Sequence, residues 1–294
     1  MERVATPLRP SLADWISLTK PGITRMVVIS TIGGMWLAPE TMQLSTALLT
    51  VLGMVLVVSG ANALNCYLER EVDRHMDRTA DRPLPAGRMD PEGALYFGLA
   101  LSAVSIPLLT LGAGPLAALL AGAALVLYVL VYTPLKRLSP LSTVVGAFPG
   151  ALPTLVGYAA VSETLRPPAF VLFAILFLWQ MPHFYAIGLF RREEYAAAGL
   201  QIASVVHGEV ATRVQMARYA TALLPVSLLL VPMGAAGVVY ALGAAVLGIA
   251  FLLLCIVGVL RGGGRRWARL VFHGSLVYLL GLIAVLVADA IVRA

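Results

Sequence analysis

Apolar runs close to 20 residues long recur along this chain, and no other feature restricts its fold as strongly. About 20 residues of helix cross the ~30 Å hydrocarbon core of a bilayer. The runs lie at roughly 22–39, 44–66, 94–112, 114–133, 141–161, 169–189, 217–233, 237–260 and 270–290. They are continuous rather than alternating. In lipid only helices and closed barrels satisfy the backbone polar groups, so the runs are read as helices. Breakers mark the links between them: Pro39, Gly112 to Pro115, Pro140, Pro167 and Pro168, Pro232 with Gly234, and Gly262 to Gly264. Only 12% of residues are charged, against roughly a quarter in soluble domains. No polar stretch is long enough for a separate domain. The expectation is one all-α membrane domain over residues 1–294, a nine-helix bundle around a central cavity that opens to the cytoplasmic side.

The charges give these spans a direction. The net charge is +6, but its location matters more than its size. With the N-terminus in the cytoplasm, segments 1–25, 67–93, 134–140, 190–218 and 261–269 face that side. They hold 19 of the 21 lysines and arginines, leaving only Arg166 and Arg293 outside. This is the positive-inside asymmetry of short loops, and it makes nucleic acid an unneeded explanation for the charge. The expected location is the cytoplasmic (inner cell) membrane, multi-pass, with the C-terminus outside. Arg3, Arg9, Asp14 and Lys20 precede the first run, a flank too long and too mixed for a secretory signal. Cys66 and Cys255 both fall within spans, and nothing points to a disulfide framework.

The second span ends in polar residues at a regular interval. Asn65, Glu69 and Asp73 are spaced by four. At ~100° per residue they share one helix face, over about 12 Å of its length. Asp77 would continue the series if the helix lasted another turn. An amide and two carboxylates are hard oxygen donors. They suit Mg²⁺, which keeps several waters and shares a phosphate with one or two carboxylates. A solvated helix end of mixed charge explains the spacing equally well. Asn62 and Asn65 tip the balance, because amides near the end of a span are costly unless satisfied. Arg78 and Arg82 follow, with planar forks suited to phosphate oxygens. Pro83, Pro85 and Gly87 turn that loop back toward the third span.

The pattern Asn65-x3-Glu69-x3-Asp73, followed by Met76-x-Arg78-Thr79-x2-Arg82-Pro83-Leu84-Pro85-x-Gly87, resembles the first signature of the UbiA prenyltransferase superfamily. In detail it is similar to that superfamily's protoheme farnesyltransferase (heme O synthase) branch. Thr19-Lys20-Pro21, Tyr132-Thr133-Pro134-Leu135-Lys136-Arg137, Gly146 to Gly157 and the end of the sixth span extend the likeness over roughly residues 15–220. The resemblance implies Mg²⁺ held by Asn65, Glu69 and Asp73, with Glu194 as a further metal ligand. It also implies a diphosphate bound by Arg78, Arg82, Lys136 and Arg137. Tyr128, Tyr132 and Lys136 are spaced by four, a pattern that an aromatic belt with positive-inside charge also produces. Three positions depart from the family pattern. Glu69 and Glu194 stand where Asp is usual, and Leu200 to Ser204 replace a Pro-rich turn.

The sixth span closes with Trp179-Gln180-Met181-Pro182-His183-Phe184-Tyr185. A polar group inside a span reads as lining a cavity. His183 and Glu194 lie eleven residues apart, on one face if the helix is continuous. His183 has three readings: an axial contact to heme iron, a donor to a propionate or diphosphate, or a structural histidine satisfied by a helix carbonyl. His75, His207 and His273 carry no expected role. Asp289 is expected at the outer interface.

The expected reaction is Mg²⁺-assisted transfer of a farnesyl group from farnesyl diphosphate to a vinyl group of heme B, giving heme O. Heme is the substrate here, not a resident cofactor. Phe184, Tyr185 and Trp179 would steady a farnesyl cation through their ring faces. The resemblance further implies downstream heme-modifying or oxidase-assembly proteins as partners, beside the lipid bilayer. Two other readings stay open: prenylation of a quinone precursor or other aromatic ring, and membrane transport. Transport would need a polar path across the bilayer, whereas the polar residues gather on one side.

Overall fold

The computed structural model describes residues 10–293, and every described element is helical. Arg3 and Arg9 of the first basic segment lie outside the described residues. Thirteen helices follow in order: α1 (Leu12–Leu18), α2 (Pro21–Leu37), α3 (Leu44–Asp73), α4 (Asp77–Ala80), α5 (Pro91–Ala113), α6 (Pro115–Leu135), α7 (Ser142–Ser162), α8 (Pro167–Phe190), α9 (Arg192–Ala197), α10 (Ala203–Val206), α11 (Gly208–Leu228), α12 (Val238–Arg261) and α13 (Arg265–Arg293). Seven of these, α3, α5, α6, α7, α8, α12 and α13, are long and apolar enough to cross a membrane. The two other expected spans are also helical. However, α2 has only 17 residues, and α11 begins ahead of the expected 217, taking Glu209 and Arg213 into its first turns.

Local chemistry fixes the helix ends. Pro21, Pro91, Pro115 and Pro167 each occupy the first helical position, where the missing N–H is unpaired in any case. Ser11 and Asp14 form a reciprocal capping box that starts α1. Asp90 caps α5 by accepting from the Gly93 N–H at 2.9 Å. Within α6, residues Leu127–Tyr132 widen into a π-helical turn, and the Thr133 N–H donates to the Tyr128 carbonyl five residues back. Pro134 supplies the reason. It has no N–H for the Leu130 carbonyl and its ring would collide with it, so the backbone opens by one residue.

The helices pack as two connected groups. In the first, α3 lies along α5, α5 along α6, α6 against α7, and α7 against α2. In the second, α8, α11, α12 and α13 pack in a closed ring, and α7 against α8 joins the two. The α2–α7 crossing is a backbone contact. A Cβ at Gly34 would fall on the Thr154 carbonyl, and one at Gly157 on the Thr31 carbonyl. Small residues at such crossings let helices approach where lipid offers no hydrophobic drive. The outward faces carry exposed Leu48, Leu119, Val246 and Leu253. On a water-soluble monomer this would be an apolar patch far above the usual few hundred Å².

Two polar residues of the spans serve packing. Gln180 donates its side-chain amide to the Leu176 carbonyl at 3.1 Å and to the Ala147 carbonyl of α7 at 3.3 Å. It therefore stitches α7 to α8 rather than lining the cavity expected of it. Asp289, expected at the outer interface, is buried within the protein, with 1% of its surface exposed. Its carboxylate accepts from the Gly237 and Tyr240 N–H groups at 2.7 and 3.1 Å, capping α12 from α13, and pairs with Arg293 at 2.9 Å. Asp289→Ala is expected to cost roughly 1–3 kcal/mol, because a buried and a half-buried donor lose their acceptor. A lowered thermal midpoint in detergent with unchanged turnover at low temperature would show this. An unchanged midpoint would contradict it.

Candidate functional site

One end of the bundle carries the two longest loops, 74–90 and 191–207, and they pack on each other. Val72, Met76 and Leu200 form a buried apolar contact joined by Tyr195 and Ile202. Gly199, at φ +70°, makes the turn that brings Leu200 inward, and the Gln201 N–H then donates to the Lys136 carbonyl at 2.8 Å. The non-proline sequence after Gly199 thus still makes a compact turn. Beneath this roof lies a cavity of about 230 Å³, walled by the loop-side ends of α2, α3, α6, α7 and α8.

Asn65, Glu69 and Asp73 all line it, on the last turns of α3, as the four-residue spacing predicts. Asp73 is the final residue of that helix, so Asp77 does not extend the series. Arg78, Arg82 and Lys136 line the same cavity. Each carboxylate already faces a cation. Lys136 Nζ donates to Glu69 Oε1 at 2.6 Å, and an Arg82 N–H donates to Asp73 Oδ2 at 2.7 Å. Lys136 also sits 4.6 Å from the centre of the Tyr132 ring. Burial acts to lower the Lys136 ammonium, but Tyr132 and Glu69 outweigh it and hold it above the ordinary lysine value.

Lys20 is a charged cavity residue that the sequence reading does not select. It donates to Asn65 Oδ1 at 2.5 Å, while the Asn65 amide donates to Thr133 Oγ1 at 2.9 Å. Its backbone is left-handed, at φ 48°, an unfavourable conformation for a lysine next to a proline. Strain of this kind persists where the surroundings over-determine it. Here it aims a buried ammonium into the site, and burial pulls that ammonium below the usual lysine value. The Thr19-Lys20-Pro21 motif was its only signal in the sequence. With Lys20 included, four cations face two carboxylates, so the lining is net positive and suited to a polyanion.

Three expected site residues stand elsewhere. Arg137 is exposed and absent from the cavity wall, since consecutive helical residues point ~100° apart and Lys136 takes the inward direction. Glu194 sits at the cavity's edge, accepting from Arg191 at 2.8 Å and from the Arg78 backbone N–H at 3.3 Å. Burial would raise its carboxyl. The Arg191 hydrogen bond and the Arg78 N–H outweigh that and hold it below the ordinary value. His183 faces α13, not the cavity, and its Nδ1 lies 2.7 Å from Ser275 Oγ. Helix α8 ends at Phe190 and α9 starts at Arg192, so His183 and Glu194 do not share a continuous helix.

Among the described residues, no three His, Cys, Asp or Glu side chains converge to hold a metal. The four residues Asn65, Glu69, Asp73 and Glu194 therefore do not form an all-protein cage. Asn65, Glu69 and Asp73 do supply an amide oxygen and two carboxylates on one wall of a cation-rich cavity. That fits a magnesium ion whose remaining ligands are water and substrate phosphate. The rest of the wall includes Tyr128, Tyr132, Phe184 and Tyr185, which give the chamber an aromatic, largely apolar side.

The UbiA prenyltransferase family matches residues 27–277. A protoheme IX farnesyltransferase from Myxococcus xanthus (strain DK1622) is 49% identical over 293 residues, which is 100% of both chains. The same enzyme from Anaeromyxobacter dehalogenans (strain 2CP-C) is 52% identical over 268 residues, covering 91% of this chain and 90% of that one. Among solved structures, one from work on digeranylgeranylglyceryl phosphate synthase in membranes superposes with a TM-score of 0.80 at 18% identity. It covers 95% of this chain and 98% of its own. A UbiA homolog from Archaeoglobus fulgidus bound to DMAPP and Mg²⁺ gives a TM-score of 0.72 at 16% identity, covering 93% and 99%. The structural likenesses establish the shared fold.

Proposed function

This chain belongs to the UbiA prenyltransferase family, and from that premise we propose that it transfers a farnesyl group from farnesyl diphosphate to a vinyl group of heme B. The observation that carries the reading is the pairing of Asn65, Glu69 and Asp73 with Lys20, Arg78, Arg82 and Lys136 around one partly apolar cavity. Protoheme IX farnesyltransferases at 49–52% identity over nearly the whole chain support the choice of heme as acceptor.

In this reading Asn65, Glu69 and Asp73 would hold Mg²⁺, with Glu194 at the rim held back by Arg191. The ion would draw charge from the diphosphate and favour its departure. Arg82 and Lys136 exchange their present carboxylate partners for phosphate oxygens, and Lys20 and Arg78 add further donors from the cavity lining. These are fixed cations placed where negative charge grows on the leaving group. Tyr128, Tyr132, Phe184 and Tyr185 keep water from C1 of the farnesyl chain and turn ring faces toward its developing positive charge. The heme vinyl carbon bonds to that C1 as the C–O bond to diphosphate breaks. Water then adds to the cation left on the heme side chain and releases a proton, giving a hydroxyethylfarnesyl group.

The nine helical segments are taken as nine spans, with the N-terminus and the loop-covered end of the cavity in the cytoplasm. The charge asymmetry of the loops supports this orientation. Cysteine accessibility on the two sides of sealed vesicles tests it. Acceptor choice is tested by offering heme B and 4-hydroxybenzoate together in a lipid extract with labelled farnesyl diphosphate. Label is expected in heme alone. Label in the benzoate alone would keep the prenyltransferase and overturn the acceptor.

A further inference from the structure

The α8–α13 seam beside the cavity holds an arrangement that the prenyl-diphosphate site does not use. Trp179, His183 and Phe190 lie on α8, and Phe272 and Ser275 on α13. The His183 ring stacks on Trp179 at 5.1 Å and lies tilted against Phe272 at 4.8 Å, and Phe184 of the cavity wall meets it edge-on at 5.5 Å. Phe190 meets Phe272 at 5.9 Å. The guanidinium groups of Arg191 and Arg269 lie 5.7 and 5.9 Å from the Phe190 ring centre. The seam is thus a row of aromatic rings ending in Arg269 and in Arg191, the latter already paired with Glu194.

The hydrogen bonds favour one tautomer of His183. Ser275 Oγ lies 2.6 Å from the Phe272 carbonyl, which can only accept, and 2.7 Å from His183 Nδ1. With the single hydroxyl proton donated to the carbonyl, the serine oxygen accepts from an Nδ1–H. The serine is itself pinned, since the Trp179 indole N–H donates to its backbone carbonyl at 2.6 Å. With the proton on Nδ1, the lone pair of the neutral ring is on Nε2. No protein group bonds Nε2 among the described residues. Nor is it a sealed orphan, since the sole buried side-chain N or O atom without a partner among the described residues is Tyr278 Oη. It is an open nitrogen lone pair inside an aromatic frame, oriented by a hydrogen bond at the far ring nitrogen. Histidines that ligate metals are commonly held in this way.

We propose that Ser275 is a positioning residue for the acceptor: it holds His183 in the Nδ1–H tautomer so that Nε2 ligates the iron of a metalloporphyrin lying along the α8–α13 seam. The porphyrin's apolar plane would lie against Phe190, with Phe272, turned 80° from that ring, meeting it edge-on, and its carboxylates would point to Arg269 and to Arg191, which also holds Glu194. The inference rests on the heme reading above and adds to it an iron contact and the serine that prepares it.

The test titrates ferric heme, and separately metal-free protoporphyrin IX, into the full chain in detergent without farnesyl diphosphate. Absorption spectra are followed for the wild type, Ser275→Ala and His183→Ala, with thermal midpoints confirming that each is folded. Wild type should show an imidazole-ligated heme spectrum. His183→Ala should lose it and regain it with added free imidazole. Ser275→Ala should weaken heme binding about tenfold or more and leave the metal-free porphyrin unaffected. If both variants keep the wild-type heme spectrum and affinity, the inference is overturned. Equal loss for both porphyrins would also overturn it, since that is packing rather than ligation. Parallel turnover assays separate the two levels. Wild-type farnesylation of heme alongside unchanged variant spectra removes only this inference, whereas prenylation of a different acceptor alone removes the heme reading as well.

Discussion

Replacing Asp73 with asparagine is expected to lower prenyl-transfer turnover by roughly 10²–10³-fold, the range for removing one preorganised electrostatic group from a developing charge. The substitution preserves size and removes one negative charge from the wall that would hold Mg²⁺. Asp73 is 2% exposed and bonded to Arg82, whose side chain is 26% exposed. Removing one partner of a buried pair costs up to about 3–5 kcal/mol. Arg82 keeps some access to water, so the stability loss should fall below that range. Turnover and stability therefore separate: the variant should remain folded, and its residual activity should need more Mg²⁺. Single-turnover rates across a Mg²⁺ series, read beside thermal midpoints, check both points. A variant within fivefold of wild type would remove Asp73 from the machinery.

The second large effect is structural and lies at two adjacent residues. Gly34→Ala should destabilise the protein by roughly 3 kcal/mol or more, while Gly33→Ala should be neutral or mildly stabilising. At Gly34 the new methyl would occupy the position of the Thr154 carbonyl, a backbone atom that cannot rotate aside. Overpacking against side chains costs about 1–3 kcal/mol, and backbone yields less readily. At Gly33 a Cβ meets nothing within 4 Å and borders a small apolar void of about 20 Å³. Alanine there also recovers the ~1 kcal/mol that glycine costs inside a helix. Thermal unfolding of the two single variants in one detergent compares them directly. Equal midpoints would contradict the α2–α7 backbone crossing.

The sequence discloses the helices because lipid leaves few options: a continuous apolar run of that length has one way to satisfy its backbone. It also discloses the Asn65, Glu69 and Asp73 face, since three residues on one helix at four-residue spacing need no tertiary information. What it conceals depends on distant partners. Lys20 gains meaning only from Asn65, 45 residues away. Gln180 is claimed by the Ala147 carbonyl and Asp289 by the start of α12, contacts set by helix crossings. Arg137 misleads for a smaller reason, one residue's rotation from Lys136. Reading Glu194 and His183 as one face assumes an unbroken helix, and the chain breaks at Arg191.

The paired roles of Lys136 and Arg82 explain how so charged a cavity remains stable without substrate. Each cation neutralises a carboxylate that would otherwise be buried with its charge exposed to apolar walls. In the proposed reading, binding a metal and a diphosphate together would let both sets exchange partners without leaving a charge unpaired. Diphosphate and Mg²⁺ should consequently bind cooperatively, each weakly without the other.

The account's central claim is tested most directly by incubating the purified protein with heme B, farnesyl diphosphate and Mg²⁺, with and without EDTA, and measuring the mass of the recovered heme. The predicted result is a gain of one farnesyl group and one hydroxyl group that EDTA abolishes. Unmodified heme from a folded sample, with its farnesyl diphosphate and Mg²⁺ intact, would contradict it.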